Sequence, residues 1–410
     1  MTAKFTACAK SWESLMSRQQ LPPQIKKITV LDRASGKMVE RYRIKVDVGV
    51  NPVDGKRQQA KRHCRTESEA RKLLSELQYK AATGTYVSPS TITVEQMCAD
   101  YVAGRHNLRA SSLSKLEYDL APLRERHGNR QAQKLTKSHI DALVTDLVAG
   151  GTPTAKGRKR RPWSPVAVNK VIATVAQVLE DAREQGIVPK NVAEKVARVS
   201  VPDSEVDTYT VTEVEQLRKH FATDRIGHAW ELATYGLRRG EIAGLRWADI
   251  DLTAGTLSVA NNRVSAGGTT VENDPKSIAS RRVLPLPTRL ATVLRAAKKR
   301  QAIERLALGE QYGAGEYVVC NEAGEPYNPA VLSRYWAKAV ASAGMRHLKL
   351  HGGRHTAATL MHLDGVPIAV IAAWIGHSDP NLTLRVYAHS QNDALKAAAA
   401  SLDRSNASSV

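Results

Sequence analysis

The chain has 410 residues, 42% of them hydrophobic but only two of them Phe, and its 60 Lys and Arg against 40 Asp and Glu leave a formal charge of +20. That length and apolar content fit two to four ordinary domains, and the charge calls for a polyanionic partner, nucleic acid first and an acidic membrane surface second. The pattern argues against a secretory leader, since MTAKFTACAKSW has no apolar core, and against a membrane span, since the longest apolar run, 368–375, is far too short.

Residues 1–24 read as a polar tail ending in Pro22-Pro23. Strands are predicted at Ile28–Leu31, at Arg41–Val48, where polar and apolar residues alternate, and at Lys56–Cys64, with turn chemistry at Asn51–Gly55. Thr66-x-x-Glu69 is a capping-box pattern that opens a helix to about Ala82. This βββα unit holds 15 Lys and Arg against 7 Asp and Glu between Gln24 and Val87. Arg41, Arg43, Lys45, Arg57 and Lys61 are its candidate DNA contacts, on one exposed sheet face or its rim.

Val87–Ser90 reads as a linker. Helices are predicted at Val94–Gly104, Ser111–Arg126, Thr136–Val148 and Val166–Gln185, forming a small bundle. The loop Lys156-Gly157-Arg158-Lys159-Arg160-Arg161-Pro162-Trp163 packs five cations into six residues beside an aromatic, which makes Arg158, Lys159, Arg160 and Arg161 candidate backbone clamps. A second linker runs from Ser200 to Thr210, and Thr212-x-x-Glu215 is read as the capping box of the next helix. Strand-like segments follow at Thr256–Asn261, Thr269–Asn273 and Arg282–Pro287, then helices at Thr288–Leu308 and Ala330–Ala343. Three short helical segments are predicted between Arg354 and His389, and the Ala-rich tail Asn392–Leu402 reads as an amphipathic helix.

Four cysteines, Cys8, Cys64, Cys98 and Cys320, form no CxxC pair, so a disulfide scaffold and a cysteine-held zinc are not expected, and reduced thiols in a cytoplasm are. The polar residues of the C-terminal half are more informative. Arg238 and Glu241 lie in Gly236-Leu237-Arg238-Arg239-Gly240-Glu241, Lys276 in a turn between two strands, His351 and Arg354 in His351-Gly352-Gly353-Arg354-His355 ahead of a helix, His377 after an apolar helix, and Tyr387 ten residues on. Each piece alone is weak. His-x-x-Arg occurs three times, at His106, His127 and His351.

Their order is specific. YGLRRGEIAGLRWADID, NDPKSIASRRVLPLP, HGGRHTAATLMHLDG and IGHSDPNLTLRVYAH, across residues 205–390, resemble the tyrosine recombinase, or phage integrase, family. The N-terminal unit resembles the arm-site DNA-binding domain of lambda-type integrases, and the helical middle their core-binding domain. The resemblance implies Tyr387 as nucleophile, Arg238 and Arg354 as ligands of the scissile phosphate with His351 and His377 beside them, Lys276 as general acid and Glu241 as a buried acidic support. One departure is Gly352-Gly353, where the family commonly has a pair such as Asp-Leu. It predicts a looser loop around His351 and Arg354.

The residue types suit the chemistry in their own right. Reversible strand cutting without ATP stores the phosphodiester energy in a covalent bond, which a Tyr hydroxyl can form. Two guanidiniums stay charged and donate forked hydrogen bonds to phosphate oxygens. A Lys can protonate the leaving 5′ hydroxyl, and His can move protons or donate to phosphate. No metal or other cofactor is expected.

The expected architecture is multidomain α+β: a βββα arm-binding domain with its tail (1–88), a helical core-binding domain (89–200), a mainly helical catalytic domain with a small antiparallel sheet (205–390) and a helical tail (391–410). The expected function is site-specific recombination for a phage or mobile element, in a bacterial cytoplasm. Its expected partners are double-stranded DNA at core and arm sites, three further copies of itself, a host DNA-bending protein and an excision factor, with no membrane. The tail packs on a neighbouring protomer or on its own domain. Rival readings are a type IB topoisomerase or telomere-resolving enzyme, a DNA-binding protein with relic catalytic residues, and a helix-turn-helix regulator.

Overall fold

The computed structural model describes residues 20–32, 36–50, 55, 57–154, 157–202, 206–266, 268–273 and 281–377. The Lys276 turn, Tyr387, Cys8 and the predicted tail helix lie outside those residues. The chain divides into two compact units, residues 1–108 with 115–201, and residues 109–114 with 202–410. Among the described residues no helix is long and apolar enough to cross a membrane.

The first unit opens with an antiparallel sheet of β1 (Ile25–Leu31), β2 (Met38–Val50) and β3 (Arg57–Cys64), in the order β1-β2-β3. Alternation does what it should. Ile44, Val46, Val48, Ala60 and Cys64 bury one face against Ala70, Leu74 and Leu77 of helix α1 (Glu67–Ala82). The Thr66–Glu69 capping box forms as expected, with the hydroxyl accepting from the Glu69 amide at 3.2 Å.

Four helices follow, α2 (Val94–Ala103), α3 (Ala110–His127), α4 (Lys137–Ala149) and α5 (Pro165–Glu184). Helix α5 buries Val168, Val171, Ile172, Val175, Val178, Leu179 and Ala182, a 3.6-period stripe that shares one core with Leu120, Leu123, Ile140 and Leu143. This core is separate from that of the sheet and α1.

The second unit begins with α6 (Val211–Phe221). Its cap is Thr210, not Thr212: the Thr210 hydroxyl accepts from the Glu213 amide at 3.2 Å and the Glu213 carboxylate accepts from the Thr210 amide at 2.7 Å. The chain around Thr210 is fixed from outside the helix. Tyr209 is buried, its amide donating to the Thr356 hydroxyl and its own hydroxyl to the Arg346 carbonyl, and Arg346 also pairs with Glu213. Glu215 pairs instead with Arg218.

Helix α7 (Gly227–Thr234) is buried along its whole length. Phe221, Trp230 and Trp336 form its aromatic neighbourhood, with centroids 5.6–6.5 Å apart. Helix α8 (Arg239–Gly244) leads to a sheet of β4 (Ile250–Asp251), β5 (Thr256–Val259) and β8 (Arg282–Pro285), ordered β4-β5-β8. The strand expected at Thr256–Asn261 ends at Val259, because Asn262 opens the first arm of a separate hairpin, β6 (Asn262–Ala266) and β7 (Thr269–Asn273). Helices α9 (Thr288–Leu308), α10 (Pro329–Ser342), α11 (Leu350–Leu363) and α12 (Ile368–Ile375) complete the unit. The architecture is the mixed α+β arrangement read from the sequence. Cys64, Cys98 and Cys320 are buried free thiols.

Candidate active site

Arg238 caps the N-terminus of α8 in an extended conformation. Its amide donates to Glu241 Oε2 at 2.9 Å and its Nη1 to Glu241 Oε1 at 2.8 Å, so the first turn of α8 sets the Arg238 guanidinium beside this carboxylate. Glu241 is 5% exposed, whereas the Arg238 side chain keeps 32% of its surface open. Burial pushes the Glu241 carboxyl up, but hydrogen bonds and charge from Arg282, joined by Arg238, outweigh that and hold it below the usual range.

Nothing in the sequence pattern marks Arg282, at the start of β8. Its Nη1 and Nη2 donate to the two Glu241 oxygens at 3.1 and 3.0 Å, and its Nε to the Trp374 carbonyl at 2.6 Å. Its side chain is 7% exposed.

His351 and Arg354 lie inside α11, in its first turns, rather than in a loop before it. The Gly352-Gly353 pair does not loosen them. A Cβ on Gly353 would come within 3.3 Å of the Ala233 carbonyl group, and one on Gly352 within 3.1 Å of Leu348 Cβ. Glycine here allows α11 to close onto α7, and that packing offsets the poor helix propensity of two glycines. Arg354 is 1% exposed, and its Nη1 donates to the Gly236 carbonyl at 2.7 Å, its Nη2 to the Ile375 carbonyl.

The end of α12 gathers the site. Three consecutive carbonyls each accept from a different arginine: Trp374 from Arg282, Ile375 from Arg354 and Gly376 from Arg238, the last at 2.6 Å. A helix C-terminus carries partial negative charge and unpaired carbonyls, so three cations are well placed there. Gly376 turns the chain with φ +64°, a conformation costly for other residues, and His377 follows directly. The structure therefore brings Arg238, Glu241, Arg354 and His377 into one cluster. It adds His355, whose ring meets that of His351 edge-on at 4.7 Å. His355 was legible as the residue one helical turn after His351.

Both candidate histidines are held uncharged near neutrality. Desolvation, then the charges of Arg354 and Arg238, push His377 down to about 4. Desolvation, then His355, Arg354 and Arg238, push His351 down to about 4. The His351 residue is exposed, so its cationic neighbours are the firmer cause. The unfolded chain takes up these protons near pH 6.5 and the folded chain only near 4. Stability from these rings is thus complete above about pH 6.5 and is lost as pH falls towards 4. Ring-proton titration by NMR is expected to place His351 and His377 well below the ordinary histidine midpoint. Midpoints of about 6.5 for both would show that the arginines do not act on them.

The other candidate contacts fall on two surfaces. In the sheet, Arg43 pairs across from His63 and from Lys26, Lys45 from Lys61, and Arg41 from Ile28. Since paired residues share a face and Ile44 and Val46 point to α1, Arg41, Arg43, Lys45 and Lys61 lie on the face turned away from the helix. Arg57 is tied to Asp47 at 2.5 Å. In the basic loop, Pro153 bridges Lys159, Trp163 stacks on Tyr118 at 5.2 Å, and Arg160 pairs with Glu125 and lies 5.8 Å over the Trp163 ring. Arg160 thus braces the loop, while Arg158, Lys159 and Arg161 are exposed.

Residues 208–393 match the model of the phage integrase family. A tyrosine recombinase XerC-like protein of Caldanaerobacter subterraneus subsp. tengcongensis is 28% identical over 227 residues, 51% of this chain and 58% of its own length. An integrase of Streptomyces ambofaciens is 24% identical, over 85% of this chain and 89% of its own. The chain spans 58%, 28% and 58% of the lengths of three curated relatives, the Caldanaerobacter protein, an integrase of Saccharopolyspora erythraea and a prophage integrase of Escherichia coli. Among solved structures, the Tn1549 transposon integrase in complex with transposon right end DNA superposes with a TM-score of 0.60 at 18% identity, covering 76% of this chain and 99% of that one. A lambda integrase tetramer bound to a Holliday junction superposes with 0.53 at 15% identity, covering 88% and 97%. Residues 208–393 thus match the phage integrase family, and over that stretch the chain is similar to tyrosine recombinases.

Proposed function

We propose that the chain is a site-specific DNA recombinase that cuts and rejoins strands through a 3′-phosphotyrosyl intermediate, to integrate and excise a phage or mobile element. The observation that carries this reading is the convergence of Arg238 and Arg354 on adjacent carbonyls at the end of α12, next to His377. Two fixed guanidiniums stabilise the charge of a pentacoordinate phosphorus better than mobile ones, because no reorganisation is needed as the charge develops.

In this mechanism the Tyr387 oxygen attacks phosphorus and its proton passes to a neutral histidine, His351 or His377. The new P–O bond to tyrosine forms as the P–O5′ bond breaks, and the leaving oxygen takes a proton from the Lys276 ammonium. Rejoining runs these steps in reverse, so no high-energy cofactor is consumed. The sequence holds Lys276 between β7 and β8, whose described ends are anchored: Glu272 accepts from the Tyr317 hydroxyl and from Arg246 at 2.9 Å, and Arg282 is fixed to Glu241.

Lys276→Ala is expected to slow cleavage of an ordinary duplex. A 5′-bridging phosphorothiolate has a leaving group that needs no proton, so single-turnover cleavage of that substrate should return to near the wild-type rate. Equal slowing on both substrates would remove Lys276 from the general-acid role.

The domain assignment belongs to the same proposal. Residues 1–88 hold distal arm sites, 89–200 and 205–390 hold the crossover site, and 391–410 form a helical tail. Four copies act on two duplexes, since four strands are cut. A host DNA-bending protein and an excision factor would set the direction. Binding two DNA sites with one chain raises the effective concentration of the second. The outward sheet face, with Arg43, Lys45 and Lys61, supports the arm role. Replacing these three with Ala in the full chain should leave cleavage of an isolated core duplex intact. It should also reduce the log–log salt slope of arm-site binding by roughly 0.9 for each phosphate no longer neutralised, read by mobility shift. An unchanged slope would move the arm-site interface elsewhere.

A further inference from the structure

We propose that Arg282 is a positioning residue that sets the charge of the phosphate clamp: by taking both oxygens of Glu241, it leaves Arg238 a positive charge to offer DNA. The inference rests on the reading of Arg238 as a ligand of the scissile phosphate.

Arg282 is bound up with a carboxylate: its Nη1 and Nη2 donate to the two Glu241 oxygens and its Nε to the Trp374 carbonyl. What it does is electrostatic. Glu241 is one buried negative charge shared by two guanidiniums, Arg238 and Arg282. The three groups together carry +1, and the open end of that charge is the Arg238 side chain, which is about six times as exposed as Glu241. Without Arg282, Arg238 and Glu241 would form a neutral pair in a site of low dielectric, where removing one charge matters more than at the surface. The fork of Arg238 would also be drawn towards both carboxylate oxygens and away from the Gly376 carbonyl that now orients it. Through Nε, Arg282 further holds the α12 end in register for the two arginines that follow it along the carbonyl row.

The test is single-turnover formation of covalent adduct by the full chain on a nicked core duplex, with DNA affinity and thermal melting measured in parallel. Arg238→Ala is the reference. Arg282→Gln is expected to slow adduct formation by about 10- to 100-fold, the scale of a small misplacement in a preorganised site, with little change in DNA affinity. Adding Glu241→Gln to Arg282→Gln removes the excess negative charge and should recover most of that loss. Arg282→Lys keeps the charge and should react at a rate nearer the wild type than Arg238→Ala does. A double variant slower than Arg282→Gln alone would mean that Arg282 acts only through packing, and would overturn the inference. If Arg282→Gln melts below the assay temperature, Arg282→Lys decides: a rate as low as that of Arg238→Ala overturns it. If Arg238→Ala itself reacts at the wild-type rate, the phosphate-clamp reading fails. If Arg238→Ala is slow and the double variant is not restored, the Arg282 inference fails alone.

Discussion

Tyr387→Phe is expected to bind its core duplex about as tightly as the wild type and to form no covalent adduct. The substitution removes one oxygen and leaves the ring, so the cations that hold the DNA backbone are untouched. The missing oxygen is the only atom that can store the phosphodiester energy in the proposed route. A phenol near its ordinary pKa of about 10 is a poor nucleophile, which is why the site needs both a proton acceptor and an electrophilic phosphate. The low proton affinity of His351 and His377 in the free protein fits the first need: a ring uncharged near neutrality can accept a proton. A phosphate seated between Arg238 and Arg354 would offset the charges that depress these rings and make them better acceptors once DNA is bound. An adduct formed by Tyr387→Phe would place the nucleophile at another tyrosine, such as Tyr335.

Arg354→Ala is expected to lose cleavage by at least about 10²–10³-fold, the cost of removing one preorganised donor from a developing negative charge. Arg354→Lys should rescue it poorly. A single ammonium cannot hold the Gly236 and Ile375 carbonyls and a phosphate oxygen with the planar fork that guanidinium provides. The two clamp arginines should differ in stability. Arg354 is 1% exposed and satisfies two buried carbonyls, and each carbonyl left unpaired costs about 1–3 kcal/mol. Arg238 is 32% exposed on its side chain, so Arg238→Ala should melt closer to the wild type while cleaving as slowly. Quenched-flow cleavage with parallel thermal melts separates the two effects. Near-normal cleavage by Arg354→Lys would contradict the clamp.

Much of the fold was legible because it follows from local rules. Alternation in Arg41–Val48 marked β2, and Thr66 with Glu69 marked the start of α1. Local rules fall short where tertiary contacts choose between local options. The segment 210–215 contains two overlapping Thr-x-x-Glu frames, and the buried Tyr209 and the Arg346–Glu213 pair select the first. Gly352-Gly353 looks like a loop by propensity, yet both lie in α11, where Gly353 lets the helix approach Ala233 closely. The cluster of motifs gave Arg238, Glu241, His351, Arg354 and His377 their place, because their order in the chain is unusual even where each is common. Arg282 stayed hidden for the opposite reason. An arginine beginning a strand is ordinary, and its significance lies in partners 41 and 92 residues away.

The central claim is a covalent bond between DNA and Tyr387, and peptide mapping of the wild-type adduct tests it most directly. The full chain is reacted with a nicked duplex carrying its attachment core, so that the cut end diffuses away and the covalent species accumulates. Protease digestion and mass spectrometry then locate the nucleotide. The account predicts a 3′-phosphotyrosyl linkage on the peptide containing Tyr387. A linkage on any other residue, or none at all under conditions where the duplex is bound, would contradict it.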